Sequence, residues 1–167
     1  MKTELEKAYE ILERVTPIKT DCGHLCAARC CKGDSKTGMI LFPDEEKLFI
    51  NMDGFDLKLN GQGDYVLICS GSCERKNRPL ACRMYPLFPL VYKNGGKIEI
   101  RAVKDPRGFN SCPLVSGSEK LNIDFIRAVR RAARALTRDK KQLTHLIKIS
   151  GLLTEIIDLN TALLGEK

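Results

Sequence analysis

Apolar residues recur every third or fourth position at the two ends of this chain and every second position in its middle. Leu5, Ala8, Leu12 and Val15 share one face of a helix expected from residue 3 to about 15. Thr3 and Glu6 have capping-box spacing, and Thr16-Pro17 stops the helix. "MILF" (39–42) reads as a short strand, and "PDEEKLFI" (43–50) as a helix start with its acids at the positive end of the dipole. Phe55, Leu57 and Leu59 alternate with polar residues, Gly61 and Gly63 make a turn, and "YVLI" (65–68) returns toward Cys69. A second hairpin, "LVYKNGGKIEIRAV", turns at Asn94-Gly95-Gly96, with Ile98, Ile100 and Ala102 opposite Lys97, Glu99 and Arg101. After a linker, "VSGSEK", two helices follow: about Ile123 to Leu136, then from near Asp139 to Leu164. Leu143, Leu146, Ile147, Ser150, Leu153, Ile156, Ile157 and Leu164 form the inward stripe of the last.

The pattern leaves a gap at residues 21–33, "DCGHLCAARCCKG", where neither period fits. Here lie Cys22, Cys26, Cys30 and Cys31, half of the chain's eight cysteines. Cys69, Cys73, Cys82 and Cys112 follow. The N-terminus is charged and has no apolar core of a signal peptide, and no apolar run approaches a membrane span. A cytoplasmic location is the resulting expectation. In a reducing compartment so much sulfur points to metal ligation rather than disulfides.

Cys22, Cys26 and Cys30 are spaced i, i+4, i+8. On a straight helix they spread over about 12 Å, too far for one mononuclear site with metal–sulfur bonds near 2.3 Å. Either the segment folds up as a loop, or its sulfurs serve a larger cluster or two sites. Adjacent side chains diverge on helix and strand alike, so Cys30 and Cys31 suit two metal positions better than one. Cys69 and Cys73 flank "SGS", a turn that lets both face one centre. Arg75, Arg78 and Arg83 bracket the second group. Arg83 is expected to offset thiolate charge and Arg75 to be a solvated surface residue. His24 is expected to face solvent, and His145 sits mid-helix among core positions.

Two motifs, "CGHLCAARCC" and "CSGSCERKNRPLACRMYPLFP", agree in order and spacing with a known pattern. Residues 20–115 resemble the YkgJ-like cysteine-cluster family, whose first motif is written CxxCxxCC and whose second places a cysteine before an RP…CR-aromatic-P segment. The second motif matches here as Cys73, Arg78, Pro79, Cys82, Arg83, Tyr85 and Pro86; the first has three residues in each gap rather than two. The resemblance implies a zinc- or iron-chelating domain. A related cysteine module accompanies flagellin lysine N-methylases, where an iron–sulfur cluster is implied. No glycine-rich strand–turn–helix suited to S-adenosylmethionine is present, so methylase activity is not carried over.

The expected fold is α+β: small hairpins and loops around a cysteine-ligated metal centre, with an N-terminal helix and a C-terminal helical hairpin. Residues 1–115 form the metal-binding domain and 120–167 the helical pair packed on it. The ligand candidates are all eight cysteines, and the cofactor is zinc or an iron–sulfur cluster. The formal charge is +7, and two four-thiolate zinc sites at −2 each reduce it to about +3. Basicity therefore need not mark a nucleic-acid surface. Arg127, Arg131, Arg134 and Arg138 do form one helical stripe, but no aromatic residue interleaves them, and a solvated face is the favoured reading. No C-x-x-C and no serine–histidine–acid set is readable, so catalysis is not expected. The alternatives are an iron–sulfur electron carrier or accessory module of a lysine methylase-like enzyme, and a basic nucleic-acid-binding zinc protein. Pairing with a second copy through the C-terminal helices is the oligomeric alternative.

Overall fold

The computed structural model describes residues 1–31, 38–71 and 73–165, with side chains up to 162. Its first helix, α1 (Glu4–Leu12), begins where the sequence directs. Thr3 Oγ1 accepts from Glu6 N at 3.2 Å, and Glu6 Oε2 accepts from Thr3 N at 2.7 Å, so both halves of the capping box form. The helix ends about three residues early. The Arg75 guanidinium reaches its exposed C-terminal carbonyls, donating to Leu12 O (3.1 Å), Glu13 O (3.2 Å) and Val15 O. A partner some sixty residues away thus satisfies carbonyls that further helix would otherwise have to bond.

Three antiparallel strands follow, in the order β1 (Met39–Ile40), β3 (Tyr65–Cys69), β2 (Phe55–Leu59). Phe55 pairs with Cys69 and Leu59 with Tyr65, and the turn is closed by Asn60 Oδ1, which accepts from Gln62 N and Asp64 N. The strand expected at 39–42 is shorter because Leu41 and Phe42 turn inward into the core. The helix expected at 43–50 is only a 3₁₀ turn, Glu45–Leu48, entered through a left-handed Asp44. Glu45 does not sit at a helix dipole. It is fully buried and accepts from Phe42 N (2.8 Å), Leu80 N (2.6 Å) and the Tyr9 hydroxyl. One carboxylate thereby links α1, the end of β1 and the start of α3 (Leu80–Met84).

The second hairpin joins β4 (Leu87–Asn94) to β5 (Lys97–Lys104) in full register from Leu87–Lys104 to Asn94–Lys97. Gly95 and Gly96 both take positive φ, as a two-residue hairpin turn requires. Residues 87–91 are buried one after another rather than alternately, because β4 is covered on both faces. The expected linker contains a short helix, α4 (Pro113–Ser116), which begins directly after Cys112.

The two C-terminal helices are α5 (Ile123–Leu136) and α6 (Lys140–Gly165). Asn122 caps α5, and Asp139 Oδ1 accepts from Lys141 N and Gln142 N to cap α6. Ala8 of α1 shares the core with Ala128, Ala132 and Phe125 of α5, all 0–4% exposed. Such small residues let the two helices approach closely. On α6, Leu146, Ile149, Ser150 and Leu153 are buried, and Ser150 Oγ accepts from Val91 N at 2.8 Å, satisfying a β4 donor. Leu164 lies outside the described side chains. One apolar core thus runs from α1 through α3 and β4 to α5 and α6. The architecture is α+β. Among the described residues, no helix is long and apolar enough to cross a membrane.

Candidate metal centre

Residues 21–31 form two tight turns instead of a straight helix. Asp21 Oδ1 accepts from Gly23 N at 3.0 Å and starts a single helical turn, α2 (Gly23–Cys26). Ala27 and Ala28 then both adopt left-handed backbone, φ 50° and 55°. Each costs about 1–2 kcal/mol for a residue with a Cβ, so the surroundings must hold them there. The reversal bends the chain into a 3₁₀ turn, Arg29–Cys31, with Cys31 N bonded to Ala28 O. This is the folded-up loop, the arrangement a regular helix could not supply. No glycine or asparagine at 27–28 announces it.

The second group is mounted on more regular elements. Cys69 ends β3, and Ser70 N bonds Gly54 O at 3.0 Å. Cys82 lies in α3, whose first amide is held by Glu45. Arg78 has extended backbone before Pro79, its guanidinium donates to Asp21 Oδ2 at 3.0 Å, and against the raising effect of burial its charge lowers the Cys73 thiol. Arg78 is therefore the cation that faces the cysteines, acting on Cys22, Cys31 and Cys73.

The expectations for the other two arginines are reversed. Arg83 is buried away from the thiols; it donates to Arg78 O (2.9 Å) and Lys76 O (2.7 Å) and stacks on Tyr9 at 4.5 Å. Arg75 is not a free surface residue but the C-terminal clamp of α1. In both cases the partners are backbone carbonyls, which leave no side-chain pattern in a sequence.

Cys112 is the most buried of the eight and packs with Leu114, Val115, Cys22 and Tyr85. Burial, with Cys112 beside it, pushes the Tyr85 hydroxyl up. Gly108 makes room for that hydroxyl, since a Cβ there would lie 2.0 Å from it. Cys26 and Cys112 line one side of an open cavity of about 280 Å³, with Arg29, Ser111 and Ser116 opposite.

All eight thiols are free, and several raise one another's proton affinity. Burial, and then the charge of Asp21, pushes the Cys22 thiol up, with Cys112 and Cys26 adding to the effect. Burial drives Cys82 strongly up, reinforced by Cys31, Cys73 and Cys69. Cys30 and Cys31 sit between the two groups. The adjacent thiols shift each other in opposite directions, Cys30 up and Cys31 down, with Arg78 assisting the lowering of Cys31. Cys30 also feels Cys22 on one side and Cys82 on the other. An all-sulfur donor set of this kind matches a thiophilic ion or cluster in chemistry. As placed, no group of three or more Cys, His, Asp or Glu among the described residues is gathered as a metal-holding set. His24 is exposed on its loop.

Comparison with protein families, curated proteins and solved structures gives no match to this chain.

Proposed function

We propose that this protein binds a thiophilic metal through its cysteines, either as zinc or as an iron–sulfur cluster. The observation that carries the reading is eight free cysteines from separate segments, those at 22–31 folded up by two tight turns and tied to the second motif by Asp21 and Arg78. Like charges cannot ionise together in one neighbourhood without a compensating cation. A bound metal supplies that charge, along with folding free energy if zinc or one-electron redox chemistry if iron–sulfur. The electrostatic neighbours suggest two ligand sets: Cys31, Cys69, Cys73 and Cys82 in one; Cys22, Cys26, Cys30 and Cys112 in the other. The doublet then divides between them. The resemblance of residues 20–115 to the YkgJ-like pattern supports the same reading. The protein's residues orient the sulfurs through the Asp21–Arg78 pair, the left-handed alanines and the Glu45 clamp on α3.

The test is metal analysis and an absorption spectrum on protein prepared without oxygen. Bound zinc or iron is expected, and Cys82→Ser or Cys73→Ser lowers it. On chelation, amides at 22–31 lose hydrogen-exchange protection while those of β4 and α5 keep theirs. If the protein holds only trace metal after treatment with zinc, and separately with ferrous iron and sulfide, the proposal fails.

A further inference from the structure

A second site lies on the side of the molecule formed by α1 and α5. Between these helices is a groove of about 390 Å³ whose lining includes Lys7, Ile11, Arg131, Arg134, Ala135 and Arg138. Its volume is within the range of small-molecule sites. Of the four arginines in the stripe, Arg127 is paired with Asp124 at 3.4 Å. Arg131, Arg134 and Arg138 have no carboxylate partner among the described residues. The groove contains one acid, Glu10, and it is bound to Lys2. Lys7 is shared with Glu4 at 2.6 Å. Three guanidiniums without a carboxylate partner among the described residues therefore line one concavity beside a lysine.

The spacing constrains the ligand. Arg131 and Arg134 lie near the end of α5 and Arg138 in the turn just after it, so the three cations are spread over more than one helical turn, suited to two or three linked phosphates rather than one. Guanidinium is planar and matches phosphate oxygens two at a time. No aromatic residue lines the groove, so nothing there stacks on a base. A single strand of nucleic acid needs a longer basic track with stacking platforms, and this groove is short and closed on both sides by helix.

We propose that the α1–α5 groove binds the polyphosphate portion of a small anionic ligand through Arg131, Arg134 and Arg138. The site is independent of the cysteine cluster.

The probe is inorganic tripolyphosphate added to the full chain at about 50 mM salt, where phosphate contacts are not yet screened out. Binding is read from the arginine side-chain Nε–H signals by NMR, so that metal loss elsewhere does not enter the readout. Tripolyphosphate is expected to shift Arg131, Arg134 and Arg138 and to bind more tightly than inorganic phosphate. R131Q/R134Q is expected to weaken it by about tenfold or more, since bonds to charged partners are lost. R127Q/R130Q removes the same charge outside the groove and is expected to change affinity by less than about twofold. Equal weakening by the two pairs, or no shift at these arginines, overturns the proposal. So does a 20-nucleotide single strand that outcompetes tripolyphosphate, which assigns the groove to nucleic acid. The metal content of the protein has no bearing on any of these outcomes.

Discussion

The region built from α1, β4, β5, α5 and α6 and the region carrying the cysteines are held together by different forces. In the first, Leu12, Phe125, Val129, Leu136 and Leu146 are completely buried in one continuous apolar core. In the second, Cys112 is the one fully buried cysteine residue, the other seven are half-buried or exposed, and most sit in short turns or helices of three to five residues. Polar contacts fix much of this region, Asp21 with Arg78 and Arg83 with two carbonyls, while Leu80 and Met84 anchor the helix of Cys82 in the apolar core. Burial scales with apolar area and needs no ligand. Short polar turns bury little area to offset their ordering, so the proposed ion would add stability to this region and not to the apolar one. Glu45 stands at the seam, bonded to α1 on one side and to the helix of Cys82 on the other.

The largest effect is expected in the apolar region. Phe125→Ala removes a fully buried ring from the contact between α1 and α5 and is expected to cost about 3–5 kcal/mol, read from the urea midpoint. The loss is global and is the same with or without bound metal. A cost below about 1 kcal/mol means that this core does not carry the fold and removes the contrast.

How far each region is legible in the sequence follows the same division. The capping box of α1, the Gly95-Gly96 turn and the limits of α5 are written in neighbouring residues, and the structure agrees with them. β4 misleads because both of its faces are covered, so alternation disappears. Glu45 is read as a helix-start acid because its true partners, at positions 9, 42 and 80, share no local pattern. The exchange of roles between Arg75, Arg78 and Arg83 arises the same way, from backbone acceptors and a distant aspartate. Cysteine composition points to the candidate centre, yet the left-handed alanines that bend its first segment carry no residue signature.

A second, smaller effect sharpens the comparison by pH. His145 is buried on α6 against Phe42, their ring centroids 4.9 Å apart, and burial lowers it to about 4 from the ordinary 6.5. Above pH 6.5 both folded and unfolded chains leave it neutral. Between 6.5 and 4 the unfolded chain takes a proton that the folded chain refuses, so stability falls as pH falls through this window, and falls no further from this group below 4. The full difference is about 3 kcal/mol. Urea midpoints at pH 7 and 4.5 for the parent and His145→Leu measure it. The parent is expected to lose more stability than the variant; matching losses show that His145 is not held neutral in the core.

The smallest effect lies in the cysteine region. Asp21 accepts from Gly23 N and from Arg78, and the Gly23 bond is the main reason its carboxyl is held low. Its side chain is 40% exposed, so solvent screens the ion pair and Asp21→Asn is expected to cost about 1 kcal/mol or less in global stability. An asparagine oxygen can still accept from Gly23 N, while the charge facing Arg78 is gone. Without the Asp21 charge, Arg78 loses its ion-pair partner, and the turn at 22–31 loses its tie to the second motif. The change is therefore local: faster hydrogen exchange at Leu25, Ala28 and Cys31, with β4 and α5 unaltered. If Asp21→Asn instead lowers the urea midpoint as much as Phe125→Ala, the two regions unfold as one unit, and polar turns and apolar core share a single stability.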